Sequence, residues 1–433
     1  MKAPVKQDST MAIGSLYETS SSPLSGIPPL TGDVRADVAI IGGGLTGVST
    51  ALHLAQQGAR VVLLERHEPG WGASGRNGGQ VNPGLKPPPE EVEKDFGPEV
   101  GGRLAHLAWN APDLVFELIE RHGIACDAIR GGTLRTATAP SQIPALRELA
   151  DQCLARGWPV SWLDEAAVQA RTGSPYHKAA LLDARGGQVD PLAYTRGLTR
   201  AAMEAGARIC SQSPVVRLRR SARAWQAVTP QGSVTCDKVV VGTNGYSSSL
   251  IDPLRRSVIP VYSAIVSSTP LPQALRERIM AQGEVLYELG IVTAYYRVDA
   301  QGRLLMGGRS FSHPAQGVAS FPFLTAHAEK LWPELGGAVS WTHGWNGQLA
   351  MTLDHYPHWH EPQPGLVAAL GYNGRGVALA TLTGQEIARY LAGEASPLFP
   401  FTPIRPVPFH RFWRMGVAAG IVWGRLRDRL AGA

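Results

Sequence analysis

Gly42, Gly44 and Gly47, in the run GGGLTG, have the G-x-G-x-x-G spacing of a dinucleotide-binding turn. The first glycine makes the tight turn, the second lets the backbone approach a pyrophosphate, and the third lets a helix pack closely on a strand. Leu45 and Thr46 open the helix, where free N–H groups and the dipole favour anions. Glu65, 18 residues beyond Gly47, is placed to bind ribose hydroxyls, with Arg66 beside it. An acid there argues against a 2′-phosphate and leaves NAD and FAD open. Two further glycine-rich runs follow, WGASGRNGGQVNPG from Trp71 and GYNGRG from Gly371.

Elements that could position these loops are legible around them. DVAII reads as a short, fully buried strand, VSTALHLAQQG as a helix and RVVLLE as a second buried strand, which together make a βαβ unit. KVVVG before Thr243-Asn244-Gly245-Tyr246 is another buried strand, and LVAAL before the GYNGRG loop repeats the strand–turn–helix theme. Residues 90–125 and 320–340 read as helical, whereas 257–310 are strand-rich and suggest an antiparallel sheet apart from the nucleotide-binding one.

The second glycine run, with Ala73, Ser74, Arg76, Asn77, Gly78, Gly79 and Gln80, resembles the second FAD-contacting segment of the D-amino-acid-oxidase-like (DAO) superfamily of flavoproteins. The likeness continues at Gln188-Val189-Asp190-Pro191, at Pro214-Val215-Val216 (where the family passes the adenine), at Thr243-Asn244 and at GYNGRG. Within that superfamily, WGASGRNGGQ, YYRVDAQGRLLMGGR, WNGQLAMTLDHYP and GYNGRG are most similar to the gamma-glutamylputrescine oxidase group, with L-pipecolate oxidases as near relatives. The resemblance implies FAD, with small residues of the second loop against the ribityl chain and isoalloxazine ring and hydrogen bonds from Ser74 and Asn77. Gly371, Asn373, Gly374, Arg375 and Gly376 would start a helix facing the reduced flavin's negative charge, or be a simple helix-start turn. With no Cys in the segments expected beside the ring, attachment is expected to be non-covalent.

Hydride transfer from the carbon beside an amine nitrogen needs no protein nucleophile, and no G-x-S-x-G, H-E-x-x-H or paired-carboxylate motif is present. It needs a positioned amine and a pocket that excludes water. Pocket candidates are Tyr262, Tyr295, Tyr296, Arg297, Arg309, Trp345 and Tyr372, as aromatic cage or carboxylate clamp. Half-buried strand tyrosines and solvated arginines are the plainer reading of any single one. His355, His358 and His360 are spaced for a metal, but a surface loop is the better reading and no metal is expected. The substrate class is a small amine or amino acid, with L-pipecolate or another secondary amino acid as the alternative. The electron acceptor is oxygen or a quinone; some related oxidases use a lysine near the ring for oxygen, and the lack of Lys between 239 and 329 weakens that route. A non-catalytic flavin-binding subunit is the reading from another class, disfavoured because flavin loops and second sheet are both present.

The expected fold is α/β: a doubly wound, Rossmann-like FAD-binding domain with a second, mixed α+β substrate domain. Residues 1–34 are an irregular leader; 35–86, 183–255 and 341–399 form the FAD-binding domain, 87–182 and 256–340 the substrate domain, and 400–433 a basic amphipathic tail. The tail is too short to span a membrane; it could lie on an anionic surface, though docking on the protein's own body is the favoured reading. The chain has 433 residues, 44% hydrophobic and 18% charged, which excludes a mostly disordered protein. Its net charge of +6 is diffuse before the tail, so no nucleic-acid partner is expected. Four scattered cysteines and no signal-peptide pattern point to the cytoplasm, with peripheral contact at the inner face of the membrane through the tail as an option.

Overall fold

The computed structural model describes residues 14–221, 224–290, 293–311 and 313–430. A six-stranded sheet runs, in spatial order, 358–363, 366–370, 238–241, 38–41, 61–64 and 208–210. All its pairs are parallel except the edge pair of 358–363 with 366–370. The central strands are buried on both faces, which is why VAII, VVLL and LVAAL are uninterruptedly apolar. Val38, Ile40, Val61 and Leu63 face a core made with the helices Leu45–Gln56, Pro98–Arg121, Pro191–Glu204 and Gly376–Leu391. Ala39, Ile41, Val62 and Leu64 face the opposite core, built with a four-stranded sheet of Gly32–Arg35, Arg217–Arg220, Trp225–Thr229 and Gly232–Cys236.

An eight-stranded sheet, ordered 341–351, 259–270, 303–309, 294–298, 285–288, 133–137, 179–183 and 160–163, is the second layer system. It is antiparallel except for the pairing of 285–288 with 133–137, so it is mixed rather than purely antiparallel. Its inner face packs on the helix Pro322–Leu331. The strand Trp341–Met351, expected with the nucleotide-binding segments, is hydrogen-bonded along Ile259–Pro270 and is the edge of this sheet.

Part of the expected leader, residues 1–13, lies outside the described residues. The rest is built into the body. Leu16 and Tyr17 are buried, and Tyr17 packs edge-on against Trp345 with ring centroids 5.3 Å apart. Ser20 donates to the Asp190 carboxylate at 2.5 Å. Two buried side chains and an interior acid anchor this short stretch, Leu16 to Ser20, to the body.

Candidate active site

One large cavity, about 1990 Å³, runs from the first glycine turn past the second loop to the face of the eight-stranded sheet. Gly42 turns the chain out of the strand 38–41 at φ +107°, a conformation open to glycine. The helix Leu45–Gln56 then starts at Gly44, which has no side chain to cap it. Gly44, Leu45 and Thr46 line the cavity, whereas Gly47 faces inward against the Gly42 carbonyl. Glu65 holds the turn in shape: its carboxylate accepts from the amides of Gly43 (2.6 Å) and His67 (2.8 Å). Burial pushes that carboxyl above its ordinary range, against these hydrogen bonds. Arg66 and Val216 line the same end.

The second loop closes over the first. Ser74 Oγ accepts from the Leu45 amide at 2.9 Å, and Asn77 braces its own loop by donating to the Ala73 and Ser74 carbonyls and accepting from Gly79. Ala73, Ser74, Arg76, Asn77, Gly78 and Gln80 line the cavity. Gly79 instead packs against the Val189 carbonyl and Arg297. Arg297, a pocket candidate from sequence, anchors this loop from behind, donating to the Gly78 carbonyl (2.6 Å), Gln188 (2.6 Å) and the Val189 carbonyl (3.2 Å). Thr243 and Asn244 line the cavity too, and the Asn244 side chain accepts from the Gly371 amide. In the third loop Tyr372, Asn373, Gly374, Arg375 and Gly376 line it, and Tyr372 meets Thr46 through a 2.6 Å hydroxyl contact; Gly371 does not.

Strand register sorts the remaining candidates. A cross-strand row runs Arg135–Tyr287–Tyr295–Gly307–Ile265–Trp345, and Arg309, Ser263 and Gly347 follow two residues along. Arg135, Tyr287, Tyr295, Arg309 and Gly347 of this face line the cavity, as does Tyr262, whose hydroxyl donates to Gln348 at 2.7 Å. Two candidates are corrected. Tyr296 alternates to the opposite face, where it is buried between His177 and Glu288. Trp345 shares the cavity face but is covered by the second loop, donating to the Arg76 carbonyl at 3.0 Å. Among the three histidines of the HYPHWH run, His355 lies in the cavity wall, His358 contacts Asp354 and His360 contacts the Thr402 carbonyl.

Lys86 and Arg135 were missed from sequence, and both line the cavity. Lys86 comes from just beyond the second loop, so the lysine-free span 239–329 did not bear on it. Arg135 had a signal: a charge in the middle of the buried strand TLRTA. Lys86, Arg135, Arg309 and Arg375 together make a cationic wall. Burial drives the Tyr287 phenol up, but Arg375 and Arg135 bring it below its ordinary value.

These residues fit the FAD that the sequence resemblance implies. A helix start that lines the cavity at Gly44, Leu45 and Thr46, with its dipole toward the cavity, suits a diphosphate. The Arg76 guanidinium, stacked 4.2 Å from the Trp71 ring centroid, keeps a buried Nη1 without a partner in the cavity wall, where a polar group of the cofactor would satisfy it. The four cysteines are buried elsewhere and do not line the cavity.

Comparison with known proteins addresses family and fold. The family model DAO, FAD dependent oxidoreductase, matches residues 37–390. A probable oxidoreductase OrdL of Rhizobium meliloti is 31% identical over 424 residues, covering 96% of this chain and 97% of its own. A gamma-glutamylputrescine oxidoreductase of Escherichia coli is 30% identical over 421 residues, 96% of this chain and 98% of its own. In fold, glycine oxidase from Geobacillus kaustophilus matches with a TM-score of 0.71 at 24% identity, over 87% of this chain and 99% of its own.

Proposed function

Given that the chain belongs to the DAO family of FAD-dependent oxidoreductases, we propose that it oxidises the C–N bond of an amine whose far end carries a carboxylate, as a γ-glutamylated diamine does. The cationic wall carries this proposal. Lys86 Nζ has His355 as its polar contact, Arg309 the Met351 sulfur, and Arg375 the Pro83 carbonyl and Tyr287 hydroxyl. Arg135 Nε is buried without a partner. None of these partners is a carboxylate, so the wall holds positive charge that an anionic substrate would neutralise. The similarity to the Escherichia coli enzyme supports the diamine form.

When bound, FAD supplies the acceptor for the hydride leaving the carbon beside the amine nitrogen, and the imine left behind is hydrolysed by water. The protein's share is placement. Arg309 is half-buried and offers a planar fork to a carboxylate, with Lys86 adding a point charge from the cavity rim. Tyr295, held by Ser263 at 2.9 Å, and Tyr262, held by Gln348, supply rigid walls that keep bulk water from the reacting carbon.

Anaerobic bleaching of the yellow protein tests the assignment across γ-glutamylated diamines, their N-acetyl counterparts lacking the carboxylate, cyclic imino acids and N-methyl amino acids. The γ-glutamylated amine should bleach fastest and its N-acetyl counterpart at least about tenfold more slowly. Equal rates would remove the carboxylate anchor, and no bleaching by any amine would favour a flavin-binding subunit. Peroxide yield in air separates oxygen from a quinone as acceptor.

A pH effect follows at Lys86. Burial, then the charges of Arg309, Arg375 and Arg135, hold its ammonium down to about 8. Below that pH it is charged and attracts the carboxylate; above it the attraction is lost. The kcat/KM for a carboxylate-bearing amine should therefore fall about three- to tenfold as pH rises through this range, the effect being modest because the ammonium is water-accessible. A Lys86→Met variant should start lower and lack this fall in its pH–rate profile.

A further inference from the structure

The C-terminal helix, Trp413–Leu430, turns a stripe of apolar side chains outward. Met415 is 71% exposed, Val422 70% and Trp423 56%, and Phe409 and Phe412 before it are exposed as well. At 100° per residue, Phe412, Met415, Ala419, Val422 and Trp423 fall within an arc of about 100°. Counted the same way, Arg411 falls about 20° beyond one edge of that arc and Arg427 about 40° beyond the other, whereas Arg414 lies toward the side turned to the protein. Guanidiniums sit over the aromatic rings: Arg411 is 4.6 Å from the Phe412 centroid and Arg427 5.2 Å from that of Trp423. The other side of the helix is turned to the protein. Val417 and Ile421 are half-buried and Gly424 is buried. The preceding segment is tied down by Val407 N–H to the Arg256 carbonyl (2.8 Å) and by a 2.9 Å contact of His410 Nε2 with the Val258 carbonyl. The helix is therefore docked on the protein's body by one side while an apolar stripe on the other side faces solvent.

We propose that this stripe lies in the headgroup layer of an anionic lipid bilayer. Residues 400–433 contain six arginines and one acid, Asp428, so the segment is strongly cationic. Apolar and aromatic side chains at the centre of a helix face, with arginines at its borders, are the pattern of an interfacial helix: the stripe enters the acyl boundary and the guanidiniums meet lipid phosphates. A second copy of the chain fits less well, because pairing two such faces would bring the arginine borders of both together. None of the helices, among the described residues, is long and apolar enough to cross a membrane, so the contact is in the plane of the surface. The helix packs against the strand Ile259–Pro270, which carries Tyr262 of the cavity wall, so the bilayer would lie beside the cavity.

Co-sedimentation of the full, flavin-loaded chain with phosphatidylcholine vesicles, with and without phosphatidylglycerol, tests the proposal. Binding is expected with phosphatidylglycerol, weakening as salt is raised. A Met415→Glu/Val422→Glu variant should bind at least about tenfold less while keeping wild-type flavin content and amine turnover in solution. An Arg411→Gln/Arg427→Gln variant should lose most of the preference for phosphatidylglycerol. The proposal is overturned by wild-type protein that stays in the supernatant with both vesicles. It is equally overturned if the Glu variant pellets like wild type, or if wild type forms a dimer in solution that the Glu variant abolishes.

Discussion

A Gly47→Ala variant should bind flavin at least about fivefold more weakly and emerge from purification with less of it, or colourless. A Cβ at Gly47 would lie 2.0 Å from the Gly42 carbonyl oxygen and 3.2 Å from Ile40 Cγ2. The first contact is backbone in a turn already committed to φ +107°, so it cannot be relieved by a rotamer change. The helix Leu45–Gln56 must retreat from the strand 38–41, and the amides of Leu45 and Thr46 retreat with it. Overpacking of this kind costs about 1–3 kcal/mol, which converts to about fivefold to more than a hundredfold in affinity, with a lower Tm as well. Gly102→Ala is the control. It lies in the helix Pro98–Arg121, where an added Cβ would meet nothing within 4 Å, and should be neutral or stabilising by about 0.5–1 kcal/mol. Flavin absorbance per polypeptide and thermal denaturation decide the matter: a fully yellow Gly47→Ala protein would mean that the first glycine turn does not cradle the diphosphate.

The second large effect is expected at Arg309. Replacement by methionine should lower kcat/KM for a carboxylate-bearing amine about ten- to a hundredfold, the value of a charge-assisted hydrogen bond of about 1.5–3 kcal/mol. Flavin content should not change, and turnover of the N-acetyl counterpart should change little. Arg309→Lys should recover only part of the loss, since an ammonium cannot reproduce the planar fork. Stability should move the other way. Burial pulls the Arg309 guanidinium below its ordinary pKa, and its contact in the wall is a methionine sulfur rather than a carboxylate. Removing a desolvated charge held by no counter-ion should raise Tm, with activity and stability trading against each other at one position. A fall in Tm together with equal losses on both amines would make Arg309 a structural residue.

The cofactor end was legible in the amino-acid order because its determinants are local. A turn that only glycine tolerates, a helix starting three residues later and an acid ending the next strand lie within about 25 residues, and steric and hydrogen-bonding rules for so short a segment allow few alternatives. The uninterrupted apolar strands around it announced a sheet buried on both faces for the same reason.

The substrate end was decided by pairing between strands far apart in the chain. Tyr295 and Tyr296 are adjacent and chemically alike, yet one faces the cavity and the other the core, because a pleated strand alternates its side chains and its register is set by partners at 285–288 and 303–309. Lys86, Arg135, Arg309 and Arg375 come from four separate segments, and no spacing rule links them before the sheet and the third glycine loop bring them to one wall. Tyr17 finds its place against Trp345, more than 300 residues away, by the same kind of convergence. The outward turn of the C-terminal helix belongs here too: its amphipathic pattern is written in the sequence, but whether the apolar stripe meets protein or solvent depends on how Val407 and His410 fasten to Arg256 and Val258, just ahead of the strand 259–270. Local sterics chose the cofactor loops, and long-range packing chose which charges and rings they face.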